Sequence, residues 1–291
     1  MKFAYMIMAH NEPYVLDKLI HMLDYPNNDI YIHVDAKSNL IDKSKLHTHS
    51  AGLTILPSRK LTWGGVSQIY VILDLITEAL KIEHDYYHLI SGVDLPLKNN
   101  YDMVEFFEKN KGKEFIGITP EWAESSGIAQ RYKLHWFFQD NIGKKKNILY
   151  FVSRVITKIE KHIGFKREKG EDIHFYGGPE WFSVTEQAAK YILSHGDWAK
   201  KRFKETICSD EIYAQTIIGN SPFAEEIYNK ESKDSYAECL RYAKFNRESP
   251  FVLNVKDYDN LVDSKFLFAR KFGTKTSEQK ELVDKIFELY K

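Results

Sequence analysis

Short apolar runs alternate with amphipathic stretches through the first third of the chain, and this alternation constrains the fold more than any other feature. Helical spacing of apolar residues marks two of the stretches, Pro13 to Leu23 and Val66 to Ile82. Several apolar runs have the length and character of buried strands: Phe3 to Ala9, Ile30 to Val34, Leu53 to Leu56 and Tyr86 to Ile90. The pattern predicts an α/β fold with a mostly parallel sheet and helices on both faces.

Polar residues come directly after each predicted strand. In open parallel sheets, ligands bind at the carboxyl ends of the strands. We therefore expect these polar side chains to converge on one rim of the sheet and to form a binding site there. They are His10 and Asn11, then Asp35 and Lys37, then Arg59, then Ser91 and Asp94.

Overall charge and cysteine content exclude several classes of protein. Lysine plus arginine and aspartate plus glutamate are both 41, a balance that argues against a nucleic-acid partner. The two cysteines, Cys208 and Cys239, are too few for a disulfide framework, which favours a reducing compartment. His10 and Asn11 interrupt the first apolar run well before membrane-spanning length. We expect a cytoplasmic protein.

A basic amphipathic insertion follows Arg131. Between Arg131 and Lys169 the sequence has eleven lysine or arginine residues against three acids. One interpretation, which we favour, is a solvated helix packed on the domain. The other is peripheral contact of residues 144–167 with an anionic membrane at the inner face of the plasma membrane. The apolar face comprises Ile148, Leu149, Val152, Val155, Ile156, Ile159 and Ile163.

A carboxylate and an indole follow a pair of glycines in the segment Gly177-Gly178-Pro179-Glu180-Trp181. Such a pattern is typical of a sugar site in which the ring is a stacking platform and the acid binds hydroxyls. The aromatic content of 14% suits the same chemistry. An ordinary Gly-Gly turn is an equal alternative.

Sugar transfer from a nucleotide donor needs a base for the acceptor hydroxyl and positive charge for the leaving diphosphate. A metal held by an Asp-x-Asp pair usually supplies that charge, but no such pair follows the early strands, where Asp35 and Asp94 stand alone. The literal match at Asp257 to Asp259 lies in a polar turn, where helix capping is the favoured role. The sequence thus predicts a site without metal.

Two late motifs could supply the cations and the base. Arg270 and Lys271 are flanked by Phe268 and Phe272, which would hold the cations against the core; a solvated surface pair is the alternative. Ser209-Asp210-Glu211 offers the base, and the alternative is that these residues cap and complement a helix N-terminus.

Taken in order, seven segments resemble the core-2/I-branching and peptide O-xylosyltransferase family, whose members carry a "Branch" glycosyltransferase domain. They extend from residue 4 to residue 273, and any one alone is weak. The segments are AYMIMAHNEP, DIYIHVDAKS, WGGVSQ with the residues from Arg59, YYHLISGVDLPL, YGGPEWFSVT, SDEIYAQTII and LFARKFG.

This resemblance implies a GT-A-like nucleotide-binding domain and an inverting, metal-independent transferase that uses UDP-GlcNAc or UDP-xylose. By position in the motifs, Glu211 matches the catalytic base and Lys271 the lysine that binds the diphosphate. Either Arg247 or Arg270 is the expected second cation. Asp35 matches the residue that contacts uracil.

The same resemblance assigns further binding roles. Met8 and Ala9 should line the base and ribose, and Arg59 should face the nucleotide. Glu180 matches an acidic acceptor-binding position of the xylosyltransferase branch, and Asp94 and Trp181 complete the predicted substrate-binding set. No cofactor is expected besides the UDP-sugar, which is the donor substrate.

Animal members of the family carry a membrane anchor and several disulfides, which this sequence lacks. That difference favours a bacterial-type enzyme of surface polysaccharide synthesis acting on a glycan or lipid-linked glycan. We expect one glycosyltransferase domain over 1–291, with a nucleotide-sugar half (1–120), an acceptor-side helical insertion (121–170) and an acceptor and catalytic half (171–291).

Two alternatives belong to other functional classes. A metal-dependent nucleotidyltransferase would need paired carboxylates and usually a Gly-rich phosphate loop, and neither occurs near residues 9–12. A non-catalytic carbohydrate-binding protein would explain the aromatic residues and the basic helix, but it leaves the acidic and cationic motifs without a role.

Overall fold

A five-stranded sheet forms the centre of the computed structural model, which describes residues 1–118, 128–167, 172–232, 234–246 and 249–291. Its strand order is β3-β2-β1-β4-β6, and all neighbours are parallel except β4 and β6. The predicted α/β class with a mostly parallel sheet is confirmed. The strands are β1 (Phe3–Ala9), β2 (Asn28–Val34), β3 (Gly52–Ile55), β4 (Tyr86–Ser91) and β6 (Phe182–Thr185).

Side chains alternate across β1 and so divide the core into two layers. Ala4 and Met6 pack with helix α2 in one cluster, whereas Tyr5 and Ile7 pack with helix α1 in the other. Helices therefore cover both faces of the sheet, as predicted. The longer helices are α1 (Pro13–Leu23), α2 (Ser67–Ala79), α3 (Asn100–Lys109), α6 (Ile148–His162), α7 (Glu186–Ser194), α8 (Gly196–Phe203) and α12 (Ser277–Tyr290).

Shorter elements complete the described chain. Strand β10 (Phe268–Arg270) lies between β5 (Leu95–Pro96) and β7 (Arg241–Ala243) in a small second sheet, and β8 (Phe245–Asn246) pairs with β9 (Ser249–Pro250). The short helices are α4 (Ile128–Lys133), α5 (Gln139–Ile142), α9 (Tyr213–Gly219), α10 (Ser235–Cys239) and α11 (Tyr258–Val262).

The small sheet brings the end of the chain to the rim of the large one. Phe268 and Phe272 are fully buried, and the backbone N–H of Phe272 donates to the carbonyl of Val93 at 2.9 Å. Glu12, just after β1, accepts hydrogen bonds from the backbone and hydroxyl of Thr274. Consequently the residues after β1, β4 and β10 meet at one place.

Helix α6 lies on the protein surface with its apolar side outward. Its buried residues are Ser153 and Thr157, whereas Ile148 and Val155 are 78% and 56% exposed. The helix is therefore a solvated helix on the surface of the domain, as favoured from the sequence, but its apolar side chains face outward. None of the helices in the described part of the chain combines the length and the apolar content that a membrane span needs.

Candidate active site

The residues that follow β1, β2 and β4 are joined by backbone hydrogen bonds. The N–H of Asp35 donates to the carbonyl of Ala9, and the N–H of Gly92 donates to the carbonyl of Met8, both at 2.9 Å. A side chain at Gly92 would place its Cβ 2.9 Å from that of Ala9, so the close approach requires glycine. Met8 and Ala9 are themselves buried.

Asp35 organises the loop that rises from β3. Its Oδ1 accepts hydrogen bonds from the backbone N–H groups of Lys37 at 3.0 Å and Leu61 at 3.1 Å. The carbonyl of Arg59 accepts from the N–H of Ala36, but the guanidinium of Arg59 extends to Asp74 of α2 at 2.8 Å. At this rim Arg59 therefore contributes its backbone, while its side chain forms an exposed ion pair with α2.

Arg270 is held between an acid and an indole. Its Nε lies 3.5 Å from Oδ1 of Asp94, which is 1% exposed and also accepts from the N–H and hydroxyl of Ser91. The guanidinium carbon lies 4.3 Å from the ring centroid of Trp181, within cation–π range. The solvated surface pair weighed as an alternative is thus wrong for Arg270.

Trp181 differs from its predicted role. The side chain is 6% exposed, and Arg270 covers one face of its ring. An indole placed in this way has no open face for a sugar, because the core occupies one side and the guanidinium the other. Instead of forming a stacking platform, Trp181 fixes the position of Arg270.

Lys271 lies in a field of mixed charge. Burial and the positive charges of Arg270 and Lys144 lower its pKa, whereas Asp94 and Glu180 raise it. A lysine in such surroundings gains strongly from a bound polyanion, which restores the charge balance that burial disturbs. Lys271 is therefore well placed to contact a diphosphate.

His10 connects this cationic group to the nucleotide side of the rim. Burial lowers its pKa, Asp35 raises it, and the charges of Lys271, Arg270 and Lys144 lower it. The pKa of His10 thus responds both to Asp35, predicted to contact uracil, and to Lys271 and Arg270, predicted to contact the diphosphate. His10 therefore lies within electrostatic range of both groups of predicted donor-binding residues.

Three acids gather on the other side of Arg270. The amide nitrogen of Gln68 donates to Oδ2 of Asp210 at 3.1 Å and lies 3.5 Å from Oε1 of Glu180. Next to Asp210, Oε2 of Glu211 accepts from the guanidinium of Arg131 at 2.6 Å. One amide therefore links Asp210 and Glu180, and one arginine neutralises part of the charge of Glu211.

Burial and the charge of neighbouring acids change the protonation of Asp210 and Glu180. Burial and the charge of Glu211 raise the pKa of Asp210 to about 7. Burial and the charge of Asp210 raise the pKa of Glu180 well above its usual range, while Arg270 opposes that rise. Such shifts are frequent where acid–base chemistry takes place, because like charges in a poorly solvated site cannot all ionise.

The acids are positioned by backbone contacts that need glycine. The N–H of Gly178 donates to the carbonyl of Glu211 at 3.0 Å, which joins the two acidic motifs. A Cβ on Gly178 would lie only 1.8 Å from the carbonyl oxygen of Gly117. Glycine at position 178 is thus required by close chain packing, which an ordinary turn alone would not require.

Capping does not account for Ser209 and Asp210. In the described structure neither α9 nor the short turn at Ser209–Glu211 has a side-chain cap. Ser209 Oγ and Asp210 Oδ1 are buried without a hydrogen-bond partner there. Asp257, by contrast, forms a capping box with Asn254, as expected for the literal Asp-x-Asp match.

Sequence reasoning missed the contributions of Gln68, Arg131 and Lys144. Gln68 ends the WGGVSQ segment, so its motif was noticed but not its contact with two acids. Arg131 and Lys144 were counted only as charges of the basic insertion. Arg247, one candidate for the second cation, lies outside the described residues, and in the described part of the chain no three His, Cys, Asp or Glu side chains are grouped as a metal site requires.

Comparison with known proteins gives one family and several distant relatives. The model of the "Core-2/I-Branching enzyme" family matches residues 3–253. "Xylosyltransferase 2" of Mus musculus is 24% identical over 99% of this chain and 34% of its own length, and the Homo sapiens protein of the same name is 23% identical over the same shares. "Xylosyltransferase" of Ciona intestinalis is 22% identical over 77% of this chain and 26% of its own length.

The chain therefore spans about a third of the length of the curated relatives it matches. These relatives are animal proteins, so they give no support to the expectation of a bacterial-type enzyme. The shared region covers every segment described above as part of the site, from β1 to β10.

Proposed function

The chain belongs to the core-2/I-branching enzyme family, and on that premise we propose that it transfers a sugar from a UDP-sugar to a hydroxyl of a glycan, with inversion and without a metal ion. One observation carries the proposal. Backbone hydrogen bonds of 2.9 Å join Asp35 to the end of β1 and Phe272, the neighbour of Lys271, to Val93 after β4. The guanidinium of Arg270 packs at 4.3 Å on Trp181, the neighbour of Glu180, so the cations adjoin both the nucleotide-side rim and the acidic group. A donor bound across them would present its anomeric carbon to the acids.

Glu211 is the proposed base. Inverting transfer needs a carboxylate on the side of the sugar opposite the leaving diphosphate, to take the proton from the attacking hydroxyl. Glu211 is partly exposed and is oriented by Arg131, whereas Asp210 is nearly buried and has a pKa of about 7. The accessible, oriented carboxylate is the better proton acceptor for a substrate.

Lys271 and Arg270 are the proposed electrophilic groups. Charge accumulates on the diphosphate as the bond between its oxygen and the anomeric carbon breaks, and fixed cations lower the barrier when they face that oxygen. Asp94 and Trp181 hold the Arg270 guanidinium in place before the donor binds. Two cations already at the site supply the positive charge that a metal ion supplies elsewhere.

The uracil and ribose would lie over the ends of β1 and β2. Asp35 is the proposed uracil contact, and Met8 and Ala9 form the buried floor beneath it. The backbone at Arg59 closes this end of the rim through its bond to Ala36. Donors related to GlcNAc or xylose are proposed, because the family resemblance implies both.

Glu180 is the proposed acceptor contact. Its carboxylate lies 3.5 Å from the amide nitrogen of Gln68, and the charges of Arg270 and of the other acids act on its pKa. Its raised pKa lets it donate a hydrogen bond as well as accept one, which suits the recognition of sugar hydroxyls. The acceptor we propose is a glycan, free or lipid-linked, and the two free thiols Cys208 and Cys239 support a reducing compartment for the reaction.

The decisive experiment is a measurement of UDP release from a panel of UDP-sugars, with and without glycan acceptors. Acceptor-dependent release from one donor is expected. A nucleotidyltransferase would instead form a nucleotidyl product from a nucleoside triphosphate, and a carbohydrate-binding protein would release nothing. Absence of release from every UDP-sugar and acceptor pair would refute the proposal.

A further inference from the structure

Helix α6 exposes a continuous apolar surface. Its N-cap is Asn147, whose side chain accepts from the N–H of Tyr150. We call the exposed set the outer stripe. Its members recur every three or four residues and so lie along one side of the helix; they are Ile148, Phe151, Val152, Val155, Ile159 and Ile163, which are 78%, 59%, 42%, 56%, 54% and 67% exposed.

The opposite side of α6 is fixed to the protein by polar contacts. The hydroxyl of Thr157 donates to the carbonyl of His135 at 2.8 Å, and Glu160 accepts from the N–H of His135 at 2.8 Å and contacts its ring at 2.6 Å. Arg154 packs over Trp136, with 4.6 Å between the guanidinium carbon and the ring centroid. These contacts set the rotation of the helix, so the outer stripe cannot turn inward without losing them.

Positive charge surrounds the outer stripe. Residues 144–167 contain eight lysine or arginine residues and a single acid, Glu160, although the whole chain is neutral. Glu160 is engaged by His135. Five exposed lysines near the stripe form no ion pair within the described part of the chain: Lys145, Lys146, Lys158, Lys161 and Lys166.

We propose that α6 is an in-plane docking helix for an anionic lipid membrane. The outer stripe would enter the boundary between headgroups and acyl chains, and the lysines would contact anionic headgroups. A helix of this length, about 22 Å, suits the plane of the interface and is too short to span the hydrocarbon core. The charge distribution matches a negatively charged surface.

A second copy of the chain is a poorer partner for the same surface. Two-fold pairing places the same patch of both copies together. Stripe against stripe would bring the lysines of one copy toward those of the other, and like charges at a desolvated contact oppose association. An anionic bilayer covers the apolar side chains and compensates the lysines together.

Docking would also orient the proposed active site. Lys144 lies just before α6, and its ammonium is 4.9 Å from the ring centroid of Trp63 in the WGGVSQ segment. The same lysine lowers the pKa of Lys271. A membrane bound by α6 therefore lies near the rim where donor and acceptor would meet. The membrane proposal itself does not depend on the transferase proposal, since it is tested by binding alone.

The test is co-sedimentation of the full chain with vesicles. One set is phosphatidylcholine alone, and the other is phosphatidylcholine mixed with phosphatidylglycerol. We expect binding to the anionic vesicles, weakened by added salt and at least about tenfold weaker on the neutral ones. Absence of binding to the anionic vesicles, or equal binding to both, would overturn the proposal.

Two pairs of substitutions separate the apolar and the charged contributions. One double variant carries Val155→Gln and Ile159→Gln, and the other carries Lys145→Gln and Lys146→Gln. Each should weaken binding to anionic vesicles by about tenfold or more. The lysine pair precedes the helix and so keeps the test valid if the apolar variant fails to fold. Binding by both variants at the wild-type level would contradict docking through α6.

Matched control variants replace exposed residues away from the helix. Leu40 is 60% exposed, and Lys256 and Lys265 are exposed without a described ion pair. Two control variants follow: the single variant Leu40→Gln, and the double variant Lys256→Gln with Lys265→Gln. Both should bind anionic vesicles as the wild type does. If the stripe variants instead dissociate a dimer while no form binds vesicles, the surface is an interface between copies and the membrane proposal fails.

Discussion

Arg131 donates from its guanidinium to the carboxylate of Glu211 across 2.6 Å, so the helix that begins the basic insertion orients the proposed base. Burial lowers the pKa of Arg131, but the charge and hydrogen bond of Glu211 together with the neighbouring Cys208 and Asp210 outweigh burial and raise it. The pair is a direct ionic contact between the two side chains. It connects the acidic side of the site to the part of the chain that also contains α6.

Glu211→Gln should lower the rate of sugar transfer by about 10² to 10⁴-fold while leaving the affinity for UDP near the wild-type value. Glutamine keeps the size of the side chain but cannot accept the acceptor's proton. Initial rates and UDP titrations measure the two effects. Glu225→Gln is the matched control, because Glu225 is an exposed partner of Lys230. Near wild-type transfer by Glu211→Gln would show that another group is the base.

Arg131→Lys should reduce kcat by roughly tenfold with little change in KM for the donor. Lysine keeps the charge but lacks the planar guanidinium that orients a carboxylate. Arg131→Met should lower kcat further than Arg131→Lys does, because Glu211 then has no cationic partner in this position. Steady-state kinetics should show kcat decreasing from the wild type to the lysine variant and then to the methionine variant. Equal activity of the lysine and methionine variants would mean that Arg131 does not act through Glu211.

Lys271→Met should lower kcat by about 10² to 10³-fold and also weaken UDP binding, because a fixed cation at the leaving diphosphate is lost. Lys275→Met is the control, since this exposed lysine follows in the same segment. Comparison of UDP and uridine affinities gives the sharper readout. The variant should lose affinity for UDP but not for uridine; equal losses for both ligands would place Lys271 away from the diphosphate.

Local patterns were enough to predict the sheet and its first helices. The predicted limits of β1 and α1, Phe3 to Ala9 and Pro13 to Leu23, agree with the structure. Strand β1 is buried on both faces and reads as one apolar run, and proline occupies the first turn of α1, where its missing N–H costs nothing. In these elements the local and tertiary preferences coincide.

Contacts between distant segments were not predictable in the same way. Trp181 looked like a sugar platform in its own segment, but Arg270, distant in sequence, covers its ring. The amphipathic pattern of α6 gave the correct apolar face but not its direction, since the choice between core and solvent depends on His135 and Trp136. The pairing of Arg131 with Glu211 could not be predicted from the sequence around either residue.

Transfer activity should survive dialysis against EDTA and should not rise with added Mn²⁺. We expect this because Arg270 and Lys271 supply positive charge at the diphosphate. Parallel assays on chelated and Mn²⁺-supplemented protein measure it, with a metal-dependent transferase as the control for the chelator. Complete loss of activity in EDTA with recovery in Mn²⁺ would contradict the metal-free proposal. Asp94 would then be the candidate metal ligand, since Asp257 is engaged in a capping box.

Asp210→Asn should stabilise the protein at neutral pH and have a smaller effect in acid. Burial and Glu211 raise the pKa of Asp210 from 3.8 to about 7 in the folded state, so the folded protein holds this proton more tightly than the unfolded chain. Stability is therefore lost as pH rises between about 4 and 7, and the loss is complete above that range. Asparagine has no proton to lose, so on going from pH 4 to pH 8 the free energy of unfolding of the variant should rise relative to the wild type by on the order of 4 kcal/mol. Urea unfolding at both pH values measures the difference, and Asp197→Asn, whose side chain is 100% exposed, should show none of it. A constant difference between Asp210→Asn and the wild type across this range would mean that Asp210 ionises normally in the folded protein.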